Sequence, residues 1–321
     1  MSRHLARNGW VAGLFVLFLV MLGMTRLIQP GFGTSGLESL ARAALPYAFA
    51  TAGMAIVVIA GGIDLSVASM MAVASVSGAR MMAAYGPEYT VPVVIAVLVI
   101  GAAMGAVNGI LVVLTRVPDI VVTLAMLFVW EGTALLILNA PGGTAHPGLR
   151  EIILGTVGLP FLSAWLPNAV VVLALCAGIV WLPLRRSRLG LALYAIGSDR
   201  TAAFRSGVAI GPVKVLSYAL CGLFAALGGL SVTMSTGVGE PIPGPYLMVS
   251  VAAVVLGGVA LTGGIGGILG PIVAVFILRL VRLDLTLLNV DPNVTTIVEG
   301  TIMAAVVMVG GLVAVRQRRN R

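Results

Sequence analysis

The sequence predicts an all-α fold, a polytopic bundle of membrane-spanning helices, and two observations carry that prediction. Hydrophobic residues make up 60% of the 321 and charged residues only 9%, against about a quarter charged in a soluble domain. The chain therefore has too few charges to cover a water-facing surface of its size. Apolar runs of about 20 residues also recur along it, each long enough to cross the hydrocarbon core as a helix. Lipid admits only helices or closed barrels, because every backbone group must find its partner inside the protein. The runs here are continuous rather than alternating, which excludes the barrel.

About ten spans follow in order. The first is Trp10–Ile28, with Arg26 at its outer end. MSRHLARNGW and the apolar run to about Thr25 have the outline of a signal peptide. No A-x-A-like cleavage site follows, so this segment is expected to stay as an uncleaved first span. The second and third spans share one run, Leu45–Tyr85, interrupted at Gly61, Gly62, Ile63 and Asp64. Val91–Leu114, Ile120–Asn139, Asn168–Leu184, Val213–Ser235, Tyr246–Leu261, Ile268–Leu285 and Val294–Val315 complete the set.

An even count places both termini on one side of the membrane. That side receives Arg3, Arg7, Arg116, Arg185, Arg186, Arg188, Arg200, Arg205, Lys214, Arg316, Arg318, Arg319 and Arg321, which is 13 of the 19 basic residues. Of the other six (Arg26, Arg42, Arg80, Arg150, Arg279 and Arg282), Arg42, Arg150 and Arg282 have Glu38, Glu151 and Asp284 close by. Excess positive charge marks the cytoplasmic side, so both termini are expected in the cytoplasm. The net charge of +8 is thus a topology signal. Nothing interleaves aromatics with a basic face, which excludes nucleic acid as a partner.

The longest charge-bearing segment between apolar runs is Arg185–Lys214, which holds six of the basic residues, including the only lysine. A short helical pattern runs through Asp199–Ser206, broken by Gly207 and closed by Gly211 and Pro212 as stop signals. The segment reads as a compact basic helix-and-turn element on the cytoplasmic face, in a chain that is otherwise one transmembrane domain over 1–321. The longest outside loop, Ala140–Pro167, carries His146 and Trp165 and has room for a helix at Gly148–Leu154. For Gly237–Pro245, with three prolines and Glu240, two readings stay open: a dip toward a pore, where protein or water covers the broken backbone, or an ordinary surface turn.

Small-residue spacings mark helix contacts. Gly101, Gly105 and Gly109 form two overlapping G-x-x-x-G units, and Gly263 with Gly267 and Gly266 with Gly270 form two more; packing within the bundle is favoured over dimerisation. IVVIAGGIDLS (Ile56–Ser66) and AVVLGGVALTG (Ala253–Gly263) both carry paired glycines after a short apolar run, a likeness too short to establish an internal repeat.

The chemistry of enzymes is largely missing. One lysine, at Lys214, leaves no G-x-x-x-x-G-K-S/T phosphate loop. His4 and His146 both lie outside the spans, which removes H-E-x-x-H chemistry. Gly33-Thr34-Ser35-Gly36 has the look of a rhomboid-type serine motif, but it falls in a loop and no span supplies a histidine base. Cys176 and Cys221 fall inside apolar runs and read as small buried hydrophobes rather than a disulfide or metal site. No catalytic or metal-ligating set is expected.

Ionisable groups within spans are costly and usually functional. The deepest are Asp64, Glu131, Arg279, Arg282 and Glu299. Asp64 precedes the helix DLSVAS and reads either as its cap or as part of a polar path. Glu131, Glu299, Arg279 and Arg282 read as an internal ion-pair network before direct solute ligands.

Six stretches together resemble the ribose-type permease subunits of bacterial ABC importers for monosaccharides, a group that includes autoinducer-2 permeases. They are AGGIDLSVAS (Ala60–Ser69), VNGILV (Val107–Val112), VPDIVVTLAM (Val117–Met126), SRLGLALYAIGSD (Ser187–Asp199), RSGVAIGPVKVLSYALCGLFAALGG (Arg205–Gly229) and VAAVVLGGVALTGGIGGILG (Val251–Gly270). The likeness runs over nearly the whole chain. It implies a multi-pass permease of the bacterial inner membrane that works with a second copy or paralogue in the bilayer. It also implies a separate ATPase, which binds the ATP and Mg and leaves this chain without a cofactor, and a periplasmic solute-binding protein. The polar element at 185–214 is then the coupling segment, with Gly197, Ser198, Asp199, Arg200, Ala202, Ala203, Arg205, Ser206 and Gly207 meeting a cleft of the ATPase. Asp64, Asn108 and Thr123 match the group and carry over to the translocation path.

The departures concern charge. Relatives often have an acid at the start of the coupling helix, where Arg200 follows Asp199 here. They often have an arginine in the fifth span, where this chain has Glu131, and a lysine in the last, where it has Glu299. Their asparagine-rich ninth span reads RLVRLDLTLL here, with Arg279 and Arg282, and Leu247, Met248 and Val249 replace acids after Tyr246. The pattern suggests a buried network on the translocation path with its signs reversed. Two alternatives stand beside the importer reading. An ion-coupled secondary transporter would relay protons through Asp64, Glu131 and Glu299. A branched-chain amino-acid permease is the nearest rival within the ABC class, although GGIDLS and the coupling stretch look more like the sugar group.

Overall fold

A computed structural model of the chain describes residues 2–154 and 166–319, with side chains over 9–154 and 166–308. Residues 155–165 with Trp165, Arg321, and the side chains of Arg3, His4, Arg7, Arg316, Arg318 and Arg319 lie outside the described residues. Among the described residues the regular elements are all helical, and the one extended pairing is an antiparallel bridge between Gly142 and Gly239. Seven helices among the described residues are long and apolar enough to cross a membrane.

The long helices are α1 (Ser2–Ile28), α2 (Thr34–Ile59), α3 (Val67–Ala84), α4 (Thr90–Thr115) and α5 (Asp119–Ile137). A short α6 (Pro147–Leu154) occupies the long loop where one was expected, and α7 (Asn168–Arg186) follows. The polar segment forms α8 (Arg188–Ser198) and α9 (Arg200–Arg205); beyond it come α10 (Ile210–Thr236), α11 (Tyr246–Leu256), α12 (Leu269–Leu287) and α13 (Pro292–Arg319).

Several boundaries differ from the hydropathy reading, each for a local reason. Helix α2 starts at Thr34 rather than Leu45; its first turns carry Glu38 and Arg42, which pair at 3.2 Å one turn apart, a helical spacing that hydropathy penalises. Helix α11 stops at Leu256 rather than Leu261, because Gly257 packs on Pro271 and Gly258 takes φ +83°. At eleven residues it is only about 16 Å long, half a crossing. Gly211 and Pro212 do not close the polar segment. They sit in the first turn of α10, where a proline costs no hydrogen bond.

Helices α2, α3 and α10 make the centre: 89%, 78% and 67% of their apolar windows are buried, against 11% for α1. Lipid offers no hydrophobic drive between helices, so close packing depends on small residues. That is why glycine-bearing α10 is central. Gly101, Gly105 and Gly109 of α4 lie against Gly222, Tyr218 and Val215 of α10, so close that a Cβ would strike its backbone. The expected intra-bundle role of that motif holds. The other glycine spacings do not line a helix face: Gly263, Gly264 and Gly266 take φ of +85°, +72° and +125° in the loop between α11 and α12. Cys176 and Cys221 are free thiols, the second buried.

Candidate functional site

One end of the bundle gathers the C-termini of α2 and α4 with the N-termini of α3, α5 and α10. Its centre is the break Ala60–Ser66. Asp64 is fully buried there. Its Oδ1 accepts from the Ser66 backbone N–H at 2.9 Å and from Ser66 Oγ at 2.7 Å. Asp64 is therefore not the cap residue of α3, whose N-cap position is Ser66; it closes an Asx-type turn just before it. Asn108 Nδ2 donates to Ser66 Oγ at 2.7 Å and faces Asp64 Oδ2 at 3.5 Å, and Trp130 Nε1 donates to Asn108 Oδ1 at 3.1 Å. Thr123 Oγ1 accepts from the Leu65 N–H at 3.1 Å and donates to the Asp119 carbonyl at 2.9 Å. Asp64, Asn108 and Thr123 thus join one network tying the break to α4 and α5, and all three are fully buried.

Beside it lies a second cluster that the sequence reading missed. Lys214 Nζ donates to the Asp119 carboxylate at 2.7 Å, and Tyr218 Oη donates to Asp119 Oδ2 at 2.9 Å. Gly62 packs on both Asp119 and Tyr218. The sequence puts Lys214 at the end of the basic segment and at the start of the next span; it is buried on α10. The signal was available, since a lone lysine with a tyrosine four residues on shares one helix face with it.

The polar segment attaches at the same end through glycine. Gly197 of α8 meets Gly61, Gly263 and Gly264, with the Gly264 N–H donating to the Ile59 carbonyl at 2.9 Å. The two glycine-bearing runs noted in the sequence therefore end in breaks that touch each other and α8. Asp199 caps α9, its Oδ1 accepting from the N–H groups of Thr201 and Ala202 at 2.8 and 2.9 Å, and Gly207 takes φ +81° just past its end. Ala203 is buried, whereas Ser198, Arg200, Ala202, Arg205 and Ser206 are exposed. Phe204, which the sequence reading passed over, is 70% exposed among them.

The expected four-residue charge network does not form. Arg282 Nη1 pairs with Glu299 Oε2 at 2.9 Å. Arg279 instead stacks over the Tyr47 ring at 4.7 Å. Glu131 sits on α5, which packs on α3 and α4, while the two arginines sit on α12, which packs on α1, α2 and α11. Charge alone could not reveal which helices are neighbours.

At the opposite end, Gly237–Pro245 runs inward. Gly239 packs on Ser75, Val76 and Ala79, halfway along α3, and the Glu240 N–H donates to Ser75 Oγ at 3.1 Å. Of the two readings left open, the inward dip is the observed one. A cavity of about 250 Å³ lies between this segment, α3, α10 and Tyr246. It satisfies the requirement that irregular backbone inside a bundle be covered.

The ribose import permease protein RbsC of Escherichia coli (strain K12) is 31% identical over 299 residues, covering 92% of this chain and 91% of the relative. RbsC of Haemophilus influenzae is 26% identical over 297 residues, covering 92% and 91%. The autoinducer 2 import system permease protein LsrD of Escherichia coli (strain K12) is 27% identical over 315 residues, covering 94% and 92%. No solved structure matches the chain. These relatives are transport permeases rather than enzymes, and with seven apolar helices the chain is a multi-pass protein of the inner membrane. The model of the family described as branched-chain amino acid transport system / permease component matches residues 36–307, and the chain belongs to that family.

Proposed function

We propose that this chain is the membrane-spanning permease subunit of an ATP-binding-cassette importer, moving a monosaccharide or similar small polar solute inward by alternating access. In this reading the chain is one transmembrane domain of about ten spans, α11 and the inward segment before it together making one, with both termini in the cytoplasm. A separate ATPase binds ATP and Mg, a periplasmic binding protein delivers the solute, and a second permease completes the pathway. The observation that carries it is the junction of Gly61, Gly197 and Gly263. An exposed cationic helix pair is seated directly on two helix breaks in the bundle, so motion of α8 and α9 is passed to the ends of α2 and α11 with no flexible linker between. Three similar permeases whose names specify ribose or autoinducer 2 support a sugar-like solute. The translocation role of Asp64, Asn108 and Thr123 is then to hold the break while neighbouring helices move.

The test is reconstitution in vesicles with the cognate ATPase and binding protein. ATP-driven uptake of D-ribose, lost when the ATPase is omitted, is expected. Uptake by the chain alone down a solute or pH gradient would end this reading in favour of a secondary transporter. Preference for L-leucine would favour the amino-acid branch. Cysteines at Ser198 and Gly239 are expected to react from opposite faces of the membrane.

A further inference from the structure

The cavity between α3, α10 and the inward segment contains a carboxyl group with no partner among the described residues. Glu240 is the one carboxylate on its wall, which carries no basic side chain, and among the described residues no hydrogen bond or ion pair reaches it. Neither of the two nearby arginines reaches it. Arg150 Nε donates to the Met234 carbonyl at 3.2 Å, and Arg279 lies behind the cavity wall, over Tyr47. Tyr47 in turn packs on Tyr246, with ring centroids 4.6 Å apart, so the aromatic wall is braced from behind.

The backbone that carries the carboxylate is held in place. The Glu240 N–H is fixed by Ser75 Oγ, itself 2.8 Å from Thr233 Oγ1, and the adjoining Gly239 exchanges two backbone hydrogen bonds with Gly142, at 2.7 and 3.1 Å. From Ala68 to Ser75 along α3 the cavity reaches about 10 Å into the bundle. A preorganised group spends little affinity on becoming ordered.

We propose that this cavity is a solute subsite selective for neutral hydroxyl-bearing molecules, with Glu240 accepting their hydroxyl protons and Tyr246 forming the apolar wall. The inference rests on the importer reading and names the chemistry of its solute. An ionised carboxylate only accepts hydrogen bonds, so the ligand must bring donors. With no cation on the wall, an anionic ligand is repelled. About 250 Å³ is smaller than the pockets of drug-sized ligands and suits a single sugar ring beside an aromatic face.

The experiment uses the intact permease–ATPase complex carrying Thr236→Cys on the wall, or Ile242→Cys if that variant folds poorly, and follows alkylation by N-ethylmaleimide. D-ribose is expected to slow alkylation about tenfold, the scale of a hydrogen bond to a charged group, and D-ribonate, the same skeleton with a carboxylate, is expected to have no effect. Adding Glu240→Gln should abolish that discrimination. Equal protection by both probes in the parent, or protection by neither, overturns the proposal. In ATP-driven uptake, Glu240→Gln should lower solute moved per ATP without changing the half-saturating concentration of binding protein. A change in the latter alone would make the segment a docking surface and also overturn the subsite. If protection follows the expected pattern while no ATP-driven uptake occurs, the importer reading fails and the subsite stands.

Discussion

Lys214 Nζ lies 2.7 Å from the carboxylate of Asp119, joining the start of α10 to the first turn of α5 beneath the glycine break. The pair sits where α9 leads into the bundle, so it fixes the helix that follows the polar segment to the helix next to the break. Side-chain exposures of 8% and 15% put it out of reach of effective solvent screening. Removing one member of such a pair leaves an unpaired charge in a dry place, which costs about 3–5 kcal/mol. Lys214→Met and Asp119→Leu are each expected to lower the apparent Tm of the purified permease sharply, and the double variant to recover most of the loss. Single variants as stable as the parent would show that the pair carries no such weight.

The contrast between this pair and the groups singled out from sequence shows what a sequence discloses. The break at Gly61–Asp64 was legible because glycines and an acid interrupt an apolar run, whereas Asn108 and Thr123 came only through the resemblance to the permease group. The pairing of Lys214 was missed because counting charge by segment says nothing of the carboxylate that a basic residue a single turn inside the next helix will meet. The reversed-charge network failed in part, since Arg282 and Glu299 lie on neighbouring helices and Glu131 does not. Which helices touch depends on backbone approach through glycine, and the sequence names the glycines without naming their partners.

Gly197 is a sharp test of the junction. A Cβ there would collide with the Ile59 carbonyl and the Gly264 N–H, which are backbone and cannot swing aside. Gly197→Ala is therefore expected to lift α8 off the two breaks, leaving ATP hydrolysis by the assembled importer but lowering solute moved per ATP. Gly178 offers the control. It lies within α7 with open space around it, so Gly178→Ala should keep the fold and leave coupling largely intact. Equal effects of the two on transport per ATP would count against the junction.

Phe204 is expected to act outward. It is 70% exposed on a six-residue helix flanked by Arg200 and Arg205, where the fold gains little from it. Exposed aromatics beside arginine are the residues that dominate protein interfaces. Phe204→Ala should leave the Tm unchanged and weaken ATPase binding by about 2 kcal/mol, read as a roughly thirtyfold rise in Kd. Asp199→Ala should act differently, loosening α9 itself by about 1 kcal/mol through loss of its two capping bonds. A Phe204 variant that binds the ATPase as tightly as the parent would move the interface elsewhere.

The pair of Arg282 and Glu299 predicts an asymmetry. The arginine side chain is 38% exposed and the glutamate 14%, so each partner left alone meets a different environment. Glu299→Gln leaves a guanidinium that can reach out along its own stem to a wetter place, and should cost under about 1 kcal/mol. Arg282→Met leaves a nearly enclosed carboxylate without its donor and should cost about 1–3 kcal/mol. Exchanging the two, Arg282→Glu with Glu299→Arg, should be intermediate, because the arginine then occupies the drier position. If ATP drives transport, Glu299→Gln should leave uptake indifferent to a pH gradient. Apparent Tm values in one detergent decide the ordering, and equal losses for the two single variants would mean that exposure does not control the pair.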